Sequence, residues 1–178
     1  MGSPKALLPY RGQTFLDTLI ELFSSRCSPV IVVLGADAGT IRAGLRRAAM
    51  FVVNPDYRLG QTTSMQAGLR AVPADAQGVL FTLVDHPAVE PATIDRLLLP
   101  AAHSSLIRVP RYHGDRGHPV WFARDLISEF LALPQTGAAR EVVRGHVSET
   151  EFLDVDDAGI VADIDDPEAY QALVGAGA

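Results

Sequence analysis

The amino-acid sequence predicts an α/β protein with a doubly wound, mostly parallel sheet of the Rossmann-like kind. One observation is a pair of continuous apolar runs, 29–35 and 78–84, of the type found in strands that are covered on both faces. The other is that segments with helical apolar spacing separate the predicted strands from about residue 14 to residue 100. Regular alternation of strand and helix is the pattern of a right-handed parallel α/β sheet.

The elements of this first part follow in order. Thr14 and Asp17 have the spacing of a capping box, and the apolar stripe that follows predicts a helix to about Phe23. The further predicted elements are a strand at 29–35, a helix at 41–50, a strand at 51–53, a capped helix at 62–72, a strand at 78–84 and a helix at 91–99.

The remainder of the chain has a different pattern. Short strands are predicted at 105–111 and 119–122, on either side of the polar loop 113–117, followed by helices at 123–133 and 138–146. Strands at 151–155 and 160–164 and a helix at 167–174 complete the pattern. Because no repeat or linker divides the sequence, we expect residues 1–178 to form a single domain.

Composition limits the classes of function. The chain has 178 residues, and 15 basic against 21 acidic residues give a net charge of −6. The basic residues are scattered, which argues against a nucleic-acid or membrane surface but leaves room for one bound nucleotide. Cys27 is the only cysteine, so a disulfide within the chain and a cysteine zinc cluster are excluded. With no signal-peptide pattern and no apolar run of membrane-spanning length, we expect a cytoplasmic protein.

Two positions could bind phosphate and metal. Lys5 follows the turn Gly-Ser-Pro, which can direct N–H groups and an ammonium at a phosphate, although a lysine in such a place can also be merely solvated. Asp85 directly follows a buried strand, at the edge of the sheet where α/β proteins bind ligands. Its carboxylate could hold Mg²⁺ together with substrate phosphates, or it could cap the turn that ends at Pro87.

A second acidic segment lies near the end of the chain. Asp163 and Asp165 alternate with Ile164, which places both carboxylates on one face of the predicted strand. They could supply a further ligand to the same metal. Alternatively, Asp165 or Asp166 is the N-cap of the helix that begins at Pro167.

Two clusters could contact organic groups. Arg116 and His118 flank Gly117 and offer donors to an anionic or polar group, although a surface hairpin also explains Gly and Pro here. Gly60 and Ser64 lie at the start of the helix 62–72, where N–H groups and hydroxyls can hold a nucleobase or phosphate or simply cap the helix. The histidines His103, His113 and His146 are expected at the surface.

Taken together, these motifs resemble the MobA-like nucleotidyltransferase family, and most closely its molybdenum cofactor cytidylyltransferase (MocA-like) branch. The motifs are MGSPKALLPYRGQTFLD, NPDYRLGQTTSMQAGL, LVDHP, RGHPVWF and DVDDAGIVADIDDPEAY, and they occur in the family's order. Gln135–Arg140 and Asp166 depart from the family's pattern.

The resemblance implies a Mg²⁺-dependent enzyme that transfers a nucleotide from CTP to the phosphate of molybdopterin and releases pyrophosphate. By the same similarity Lys5 would hold the triphosphate, Asp85 would bind Mg²⁺ and Asp165, or else Asp163, would be the second metal ligand. Gly60 and Ser64 would line the base site, and Arg116 and His118 would lie near the pterin substrate.

The resemblance also implies a first strand and a glycine-rich loop ahead of the motif that here begins at Met1. In a doubly wound sheet such a strand is central, so without it the edges of both neighbouring strands are exposed. We therefore expect the gene product to begin upstream, with Met1 an internal methionine, and weak nucleotide binding if Met1 is the true start.

Two other functions are compatible with the sequence. One is a related transferase that uses GTP or another phosphorylated acceptor. The other is a protein without catalytic activity that binds the cofactor and delivers it to a molybdenum hydroxylase partner.

Overall fold

Helices and strands alternate as predicted through the first part of the chain, in a computed structural model that describes residues 4–100 and 105–175. The helices are α1 (Phe15–Ser24), α2 (Ala38–Gly44), α3 (Gln61–Leu69), α4 (Pro91–Leu98), α5 (Ile127–Ala132), α6 (Ala139–Gly145) and α7 (Pro167–Gly175). The strands are β1 (Pro9–Tyr10), β2 (Gln13–Thr14), β3 (Ile31–Leu34), β4 (Met50–Val53), β5 (Gly78–Phe81), β6 (Ile107–Tyr112), β7 (Asp115–Arg116), β8 (Val120–Ala123) and β9 (Thr150–Asp154). The predicted α/β class is confirmed.

Helix α1 begins where the capping box predicts. The N–H of Asp17 donates to Thr14 Oγ1 at 3.0 Å, and the Thr14 hydroxyl donates to the Asp17 carboxylate at 2.9 Å. Asp17 is also buried and accepts from the backbone N–H groups of Arg46 and Arg47. The Asp17 carboxylate therefore joins the start of α1 to the segment after α2.

The sheet is formed in two parts. In the first part β3 pairs with β4 in parallel. In the second part β8 pairs antiparallel with β5 on one side and β6 on the other, and β6 pairs in parallel with β9 and antiparallel with the short strand β7. Strands β5, β6 and β9 therefore run in one direction and β8 runs against them.

Strands β3 and β5 face each other without being hydrogen-bonded, as far as the structure describes the chain. Their carboxyl ends lie together, because Leu34 at the end of β3 and Val84 beyond β5 pack in one cluster with Leu16 and Ile20 of α1. The two strands therefore run in the same direction.

Helices cover the sheet on both faces. Val32 and Leu34 of β3 and Leu80 of β5 pack on the α1 face, whereas Val33 of β3 contacts Gly68 of α3 on the opposite face. The alternation along the strands accounts for this division, since successive strand residues point to opposite faces. In the described ranges, no helix combines the length and the apolar character that crossing a bilayer requires.

Two predicted elements are wrong. The helix expected at 41–50 ends at Gly44, and the strand expected at 160–164 is replaced by a 3-10 turn (Ala158–Ile160) and an irregular segment. In the first case the N–H groups of Arg46 and Arg47 bind Asp17 and cannot continue the helical ladder. In the second case the segment turns to follow the loop after β5, and the N–H of Ile164 donates to the carbonyl of Asp85.

His146 was expected at the surface, but its side chain is half-buried and links α5 to the segment after α6. Its Nδ1 lies 2.7 Å from the Glu149 carboxylate and its Nε2 lies 2.9 Å from the Glu129 carboxylate. These two contacts raise the pKa of His146 above its ordinary value. His113 is exposed as expected, and His103 lies outside the described residues.

The raised pKa predicts that stability depends on pH. A histidine whose folded pKa exceeds its unfolded value of about 6.5 contributes fully below that value, and the contribution disappears as pH rises through the folded pKa. We expect His146→Gln to remove this contribution, which is at most about 1 kcal/mol because the carboxylates of Glu129 and Glu149 are exposed to solvent. Urea unfolding between pH 5.5 and 9 measures it, with His113→Asn as the control. Equal pH dependence in His146→Gln and the unsubstituted protein would contradict the assignment.

Candidate active site at the carboxyl edge of the sheet

Three loops meet at the carboxyl edge of the sheet. The loop after β5 carries Asp85 and His86, the turn between β7 and β8 carries His118, and the segment after β9 carries Asp163 and Asp165. Two backbone hydrogen bonds join them, from Ile164 N–H to the Asp85 carbonyl (3.2 Å) and from His118 N–H to the Ile160 carbonyl (2.9 Å). Residues far apart in the sequence are thus held side by side by main-chain contacts.

The acidic residues form a cluster with a lysine. Asp85, Asp163 and Asp165 each offer a carboxylate oxygen, and these atoms lie within 4.8 Å of one another. The ammonium of Lys5 hydrogen-bonds to the Asp165 carboxylate. The structure therefore brings together four of the residues that the sequence singled out.

From the sequence, the aspartates before α7 could be metal ligands or the N-cap of that helix. The structure shows which residue is the N-cap. Asp166 is the N-cap of α7, since its Oδ1 accepts from the N–H of Ala169 at 2.8 Å. Asp165 points instead to Lys5. Asp163 and Asp165 still lie on one side of the chain, because Ile164 between them is buried in the core with Phe15.

The electrostatics of the cluster follow from this crowding. Partial burial, and then the charges of Asp85 and Asp165, raise the pKa of Asp163 above its ordinary value. The hydrogen bond and charge of Lys5 lower the pKa of Asp165. Burial lowers the pKa of Lys5, but its hydrogen bond to Asp165 and the three nearby carboxylates outweigh this effect and raise it. The cluster is therefore negative and attracts a further cation.

The cluster fits a divalent metal by the chemistry of its donors. Carboxylate oxygens are the ligands that Mg²⁺ and Mn²⁺ prefer. The Oδ1 atom of Asp85 is buried and has no hydrogen-bond partner among residues 4–100 and 105–175. A buried carboxylate oxygen without a partner is costly, and a metal ion would satisfy it.

Two histidines lie next to each other beside Asp85. The rings of His86 and His118 are 5.0 Å apart, and each has a buried Nδ1 for which the described part of the chain provides no partner. Burial, and then the neighbouring His86, lower the pKa of His118, which is therefore neutral at pH 7. A neutral imidazole with a free nitrogen can hydrogen-bond to a bound polar group.

Gly117 allows the turn before His118 to lie against the segment after β9. A Cβ built on Gly117 would lie 2.2 Å from the carbonyl oxygen of Ile160, which is far inside contact distance. No side chain at this position could fit without moving the backbone.

We therefore expect Gly117→Ala to destabilise the protein by about 1–3 kcal/mol, the usual cost of overpacking, and to displace His118. Gly39→Ala is the matched control, because Gly39 lies in α2 and a Cβ there would meet no atom within 4 Å. Chemical unfolding of both variants measures the difference. Similar stability of the two variants would show that the close approach is not required.

Arg116, Gly60 and Ser64, the other predicted site residues, are not members of the acidic cluster. The Arg116 side chain is exposed, and its guanidinium lies 4.6 Å from the ring centroid of Phe152. Gly60, with φ of +123°, precedes α3 and lines a cavity of about 230 Å³ with the loop 135–139. Ser64 accepts a hydrogen bond from Asn54 (3.0 Å) and lines a different and larger cavity. Gly60 and Ser64 thus border two distinct cavities.

Sequence reasoning missed the structural roles of three residues that organise the site. Asn54 is buried and donates to the hydroxyls of Thr63 and Ser64, while His86 is buried with its Nε2 3.7 Å from the Asp85 carboxylate. Asp157 is buried, and its carboxylate accepts from the loop that follows Asp85. Each follows a strand or precedes a turn, which is the one signal that could have indicated them.

A mostly parallel α/β sheet with acidic side chains and a lysine at its carboxyl edge has the architecture of a nucleotidyltransferase. The chain belongs to the MobA-like NTP transferase domain family, whose model matches residues 1–150.

The chain is also similar to individual proteins and to solved structures. The chain is 34% identical to the nicotine blue oxidoreductase of Paenarthrobacter nicotinovorans over 96% of its length and 88% of that protein. It is 26% identical to the molybdenum cofactor cytidylyltransferase of Escherichia coli strain K12, over 96% of this chain and 86% of that protein. A crystal structure of Rv0371c from Mycobacterium tuberculosis in complex with manganese has a TM-score of 0.85 and 31% identity, over 98% of this chain and 93% of that one. The fold and the family are thereby established.

Proposed function

We propose that the protein is a Mg²⁺-dependent CTP:molybdopterin cytidylyltransferase. The observation that carries the proposal is the convergence of Asp85, Asp163 and Asp165, whose carboxylate oxygens lie within 4.8 Å of one another. Lys5 hydrogen-bonds to the carboxylate of Asp165. Similarity to the molybdenum cofactor cytidylyltransferase of Escherichia coli supports the choice of substrates. The cytidylylated cofactor would then serve a molybdenum hydroxylase.

The reaction requires charge neutralisation more than a covalent catalyst. An oxygen of the acceptor phosphate attacks the α-phosphorus of CTP, the bond from that phosphorus to the bridging oxygen breaks, and pyrophosphate leaves. Asp85 and Asp165, with Asp163 as the alternative ligand, would hold Mg²⁺, which supplies positive charge to the phosphates when bound. Lys5 would exchange its contact with Asp165 for the triphosphate and stabilise charge on the α-phosphoryl group.

The remaining residues would position the two substrates. Gly60 and Ser64 would lie at the nucleobase. The Ser64 hydroxyl already accepts from Asn54, so its own proton is available to a base acceptor. Arg116 and His118 would contact the pterin-side substrate, with the neutral His118 ring offering its free Nδ1.

The relative named as an oxidoreductase leads us to compare two kinds of chemistry. Transfer of a nucleotide needs anionic ligands for a metal and a lysine for phosphate, and the cluster provides both. This supports a transferase over an oxidoreductase for this chain.

The test is a transfer assay with purified protein, Mg²⁺ and molybdopterin, in which CTP is compared with GTP. We expect pyrophosphate release and a cytidylylated pterin with CTP, at a rate at least tenfold above that with GTP. A faster rate with GTP than with CTP would show that the protein is a guanylyltransferase. Nucleotide binding without pyrophosphate release by either nucleotide would contradict the enzyme proposal and favour a cofactor-delivery protein.

A further inference from the structure

The smaller of the two cavities described above lies beside the start of α3, on the side of that helix that faces away from Ser64. Its volume is about 230 Å³, and it is bounded by the first turn of α3, by Phe81 at the end of β5 and by the loop 135–139. Thr62 lines this cavity, whereas Ser64 lines the larger one, because residues two apart point to nearly opposite sides of a helix. We call the space between α3 and the loop 135–139 the loop cavity.

Two buried side chains of α3 fix the wall of the loop cavity. The Thr62 hydroxyl donates to the carbonyl of Gly137 at 2.5 Å. One turn further along the helix, the Gln66 amide donates to the carbonyls of Phe130 (3.1 Å) and Leu133 (2.9 Å), in and just after the last turn of α5. Buried polar groups keep such hydrogen bonds because an unpaired one is costly. The cavity is therefore preformed, as small-molecule sites usually are.

The lining of the loop cavity is uncharged. Leu59, Met65 and Phe81 supply apolar surface, and Gln61 and Gln135 are among the residues that supply hydrogen-bonding groups. Within the described ranges no charged residue lines the cavity, so a phosphate or a carboxylate would lose its hydration without gaining a partner. An amide side chain offers both donors and an acceptor. The lining therefore fits a neutral group that has apolar faces and a hydrogen-bonding edge.

The size and position of the cavity narrow the class of group further. A cavity of about 150 Å³ is enough to hold one benzene ring. The loop cavity, at about 230 Å³, is larger by roughly half, which suits a planar group of two fused rings. The ring centroid of Phe81 lies 6.0 Å from that of His118, which the proposed function places at the pterin-side substrate. The cavity and His118 therefore border the same aromatic ring.

We propose that the loop cavity binds the fused heteroaromatic ring of the acceptor substrate, and that the loop 135–139 selects which ring is accepted. The inference rests on the proposed function, because a pterin is a planar two-ring system with amide and amine groups along its edge. The faces of the ring lie against Phe81 and Met65, and its edge pairs with the amides of Gln61 and Gln135. The phosphate of the same substrate stays outside this uncharged cavity.

The loop is also a part of the chain that departs from the family's pattern. All five residues of 135–139 line the cavity, and they belong to the segment Gln135–Arg140, which differs from that pattern. A wall that differs between relatives changes the shape and the hydrogen-bonding groups that a ring meets. Selectivity among acceptor rings is therefore a property of this loop.

The test measures binding of unsubstituted pterin to the full chain, by pterin fluorescence and without nucleotide or metal. We expect Ala138→Leu, which fills part of the cavity, to weaken binding by at least about tenfold. Gln135→Ala removes one amide from an exposed position, where the fold tolerates the change, and we expect it to weaken binding by about fivefold. Gln77→Ala is the matched control, because Gln77 is also exposed and lines neither cavity.

A second ligand tests whether the loop selects the ring. Quinoxaline has two fused aromatic rings like pterin but lacks the amide and amine groups at the edge. We expect the unsubstituted protein to prefer pterin over quinoxaline by at least about tenfold, and Gln135→Ala to reduce this ratio. A change that only loosened the fold would weaken both ligands equally and leave the ratio unchanged.

Three results would overturn the proposal. Unchanged pterin binding in Ala138→Leu and Gln135→Ala would show that the ring binds elsewhere. Competition between CTP and pterin would show that the cavity holds the nucleobase, since Gly60 also lines it. Absence of saturable pterin binding up to about 1 mM, the weakest affinity expected for a ligand of about twelve atoms, would exclude the site. The binding measurements require no nucleotidyl transfer, so failure of the proposed activity is distinguishable from failure of this inference.

Discussion

Replacement of Asp85 by asparagine is expected to lower the rate of nucleotidyl transfer by at least about 100-fold, the scale on which loss of one charge-stabilising group acts in catalysis. Asparagine keeps the size of the side chain but removes the negative charge that would hold the metal. The fold is expected to survive, because the buried Oδ1 of Asp85 has no hydrogen-bond partner in residues 4–100 or 105–175, and its substitution breaks no hydrogen bond of that atom. Initial rates of pyrophosphate release, with thermal unfolding as the check on folding, measure the effect.

Neighbouring aspartates provide the matched control for this prediction. Asp165→Asn removes a member of the acidic cluster, so we expect it to slow transfer and to weaken binding of Mg²⁺ or Mn²⁺. Asp166→Asn changes the N-cap of α7, a position at which asparagine and aspartate are about equally favourable, so we expect a rate near that of the unsubstituted protein. Full activity of Asp85→Asn, or equal losses in Asp165→Asn and Asp166→Asn, would exclude the acidic cluster from the reaction.

Lys5 neutralises part of the negative charge of the acidic cluster. Three carboxylates lie close together, and the ammonium of Lys5 hydrogen-bonds to Asp165. A bound divalent cation would take over this neutralising role and release Lys5 for an anionic substrate. The same side chain can therefore stabilise the empty cluster and, once a metal is bound, contact phosphate.

The sequence predicts those parts of the structure that depend on local patterns. The cap at Thr14, the strands β3 and β5, and the position of Asp85 after β5 all follow from spacing and composition within a few residues. The separation of β3 from β5 follows from no local pattern, since it depends on how distant segments pack.

Long-range contacts explain the elements that the sequence did not predict. The expected helix at 41–50 stops early because Asp17, about 30 residues before, binds the N–H groups of Arg46 and Arg47. The expected strand at 160–164 has strand-like alternation, but its backbone pairs with the Asp85 carbonyl and not with a strand of the sheet. Likewise, no local pattern distinguishes Asp165 from Asp166, whose different roles depend on Lys5 at the other end of the chain.

Asp157→Ala is expected to be the most destabilising of these substitutions, by about 3 kcal/mol or more. The carboxylate is buried, and it accepts from the N–H of Glu90 (2.9 Å), the hydroxyl of Thr93 (2.6 Å) and the N–H of Gly159 (2.9 Å). Alanine would leave these donors without a partner in the protein interior. Total stabilities are only about 5–15 kcal/mol, so a loss of this size is a large fraction of the whole.

The adjacent residue gives the control, because Asp156 is exposed and Asp156→Ala should change the free energy of unfolding by no more than about 0.5 kcal/mol. Urea unfolding of the two variants measures the contrast. Asp157 also holds Gly159 at the loop after β5, where a Cβ on Gly159 would lie 2.3 Å from the carbonyl oxygen of Ala88. A variant that remains folded should therefore show faster hydrogen exchange in both 85–90 and 158–165, the two segments that carry the acidic cluster. Unchanged exchange in these segments, or equal stabilities of Asp156→Ala and Asp157→Ala, would show that the carboxylate does not hold the site together.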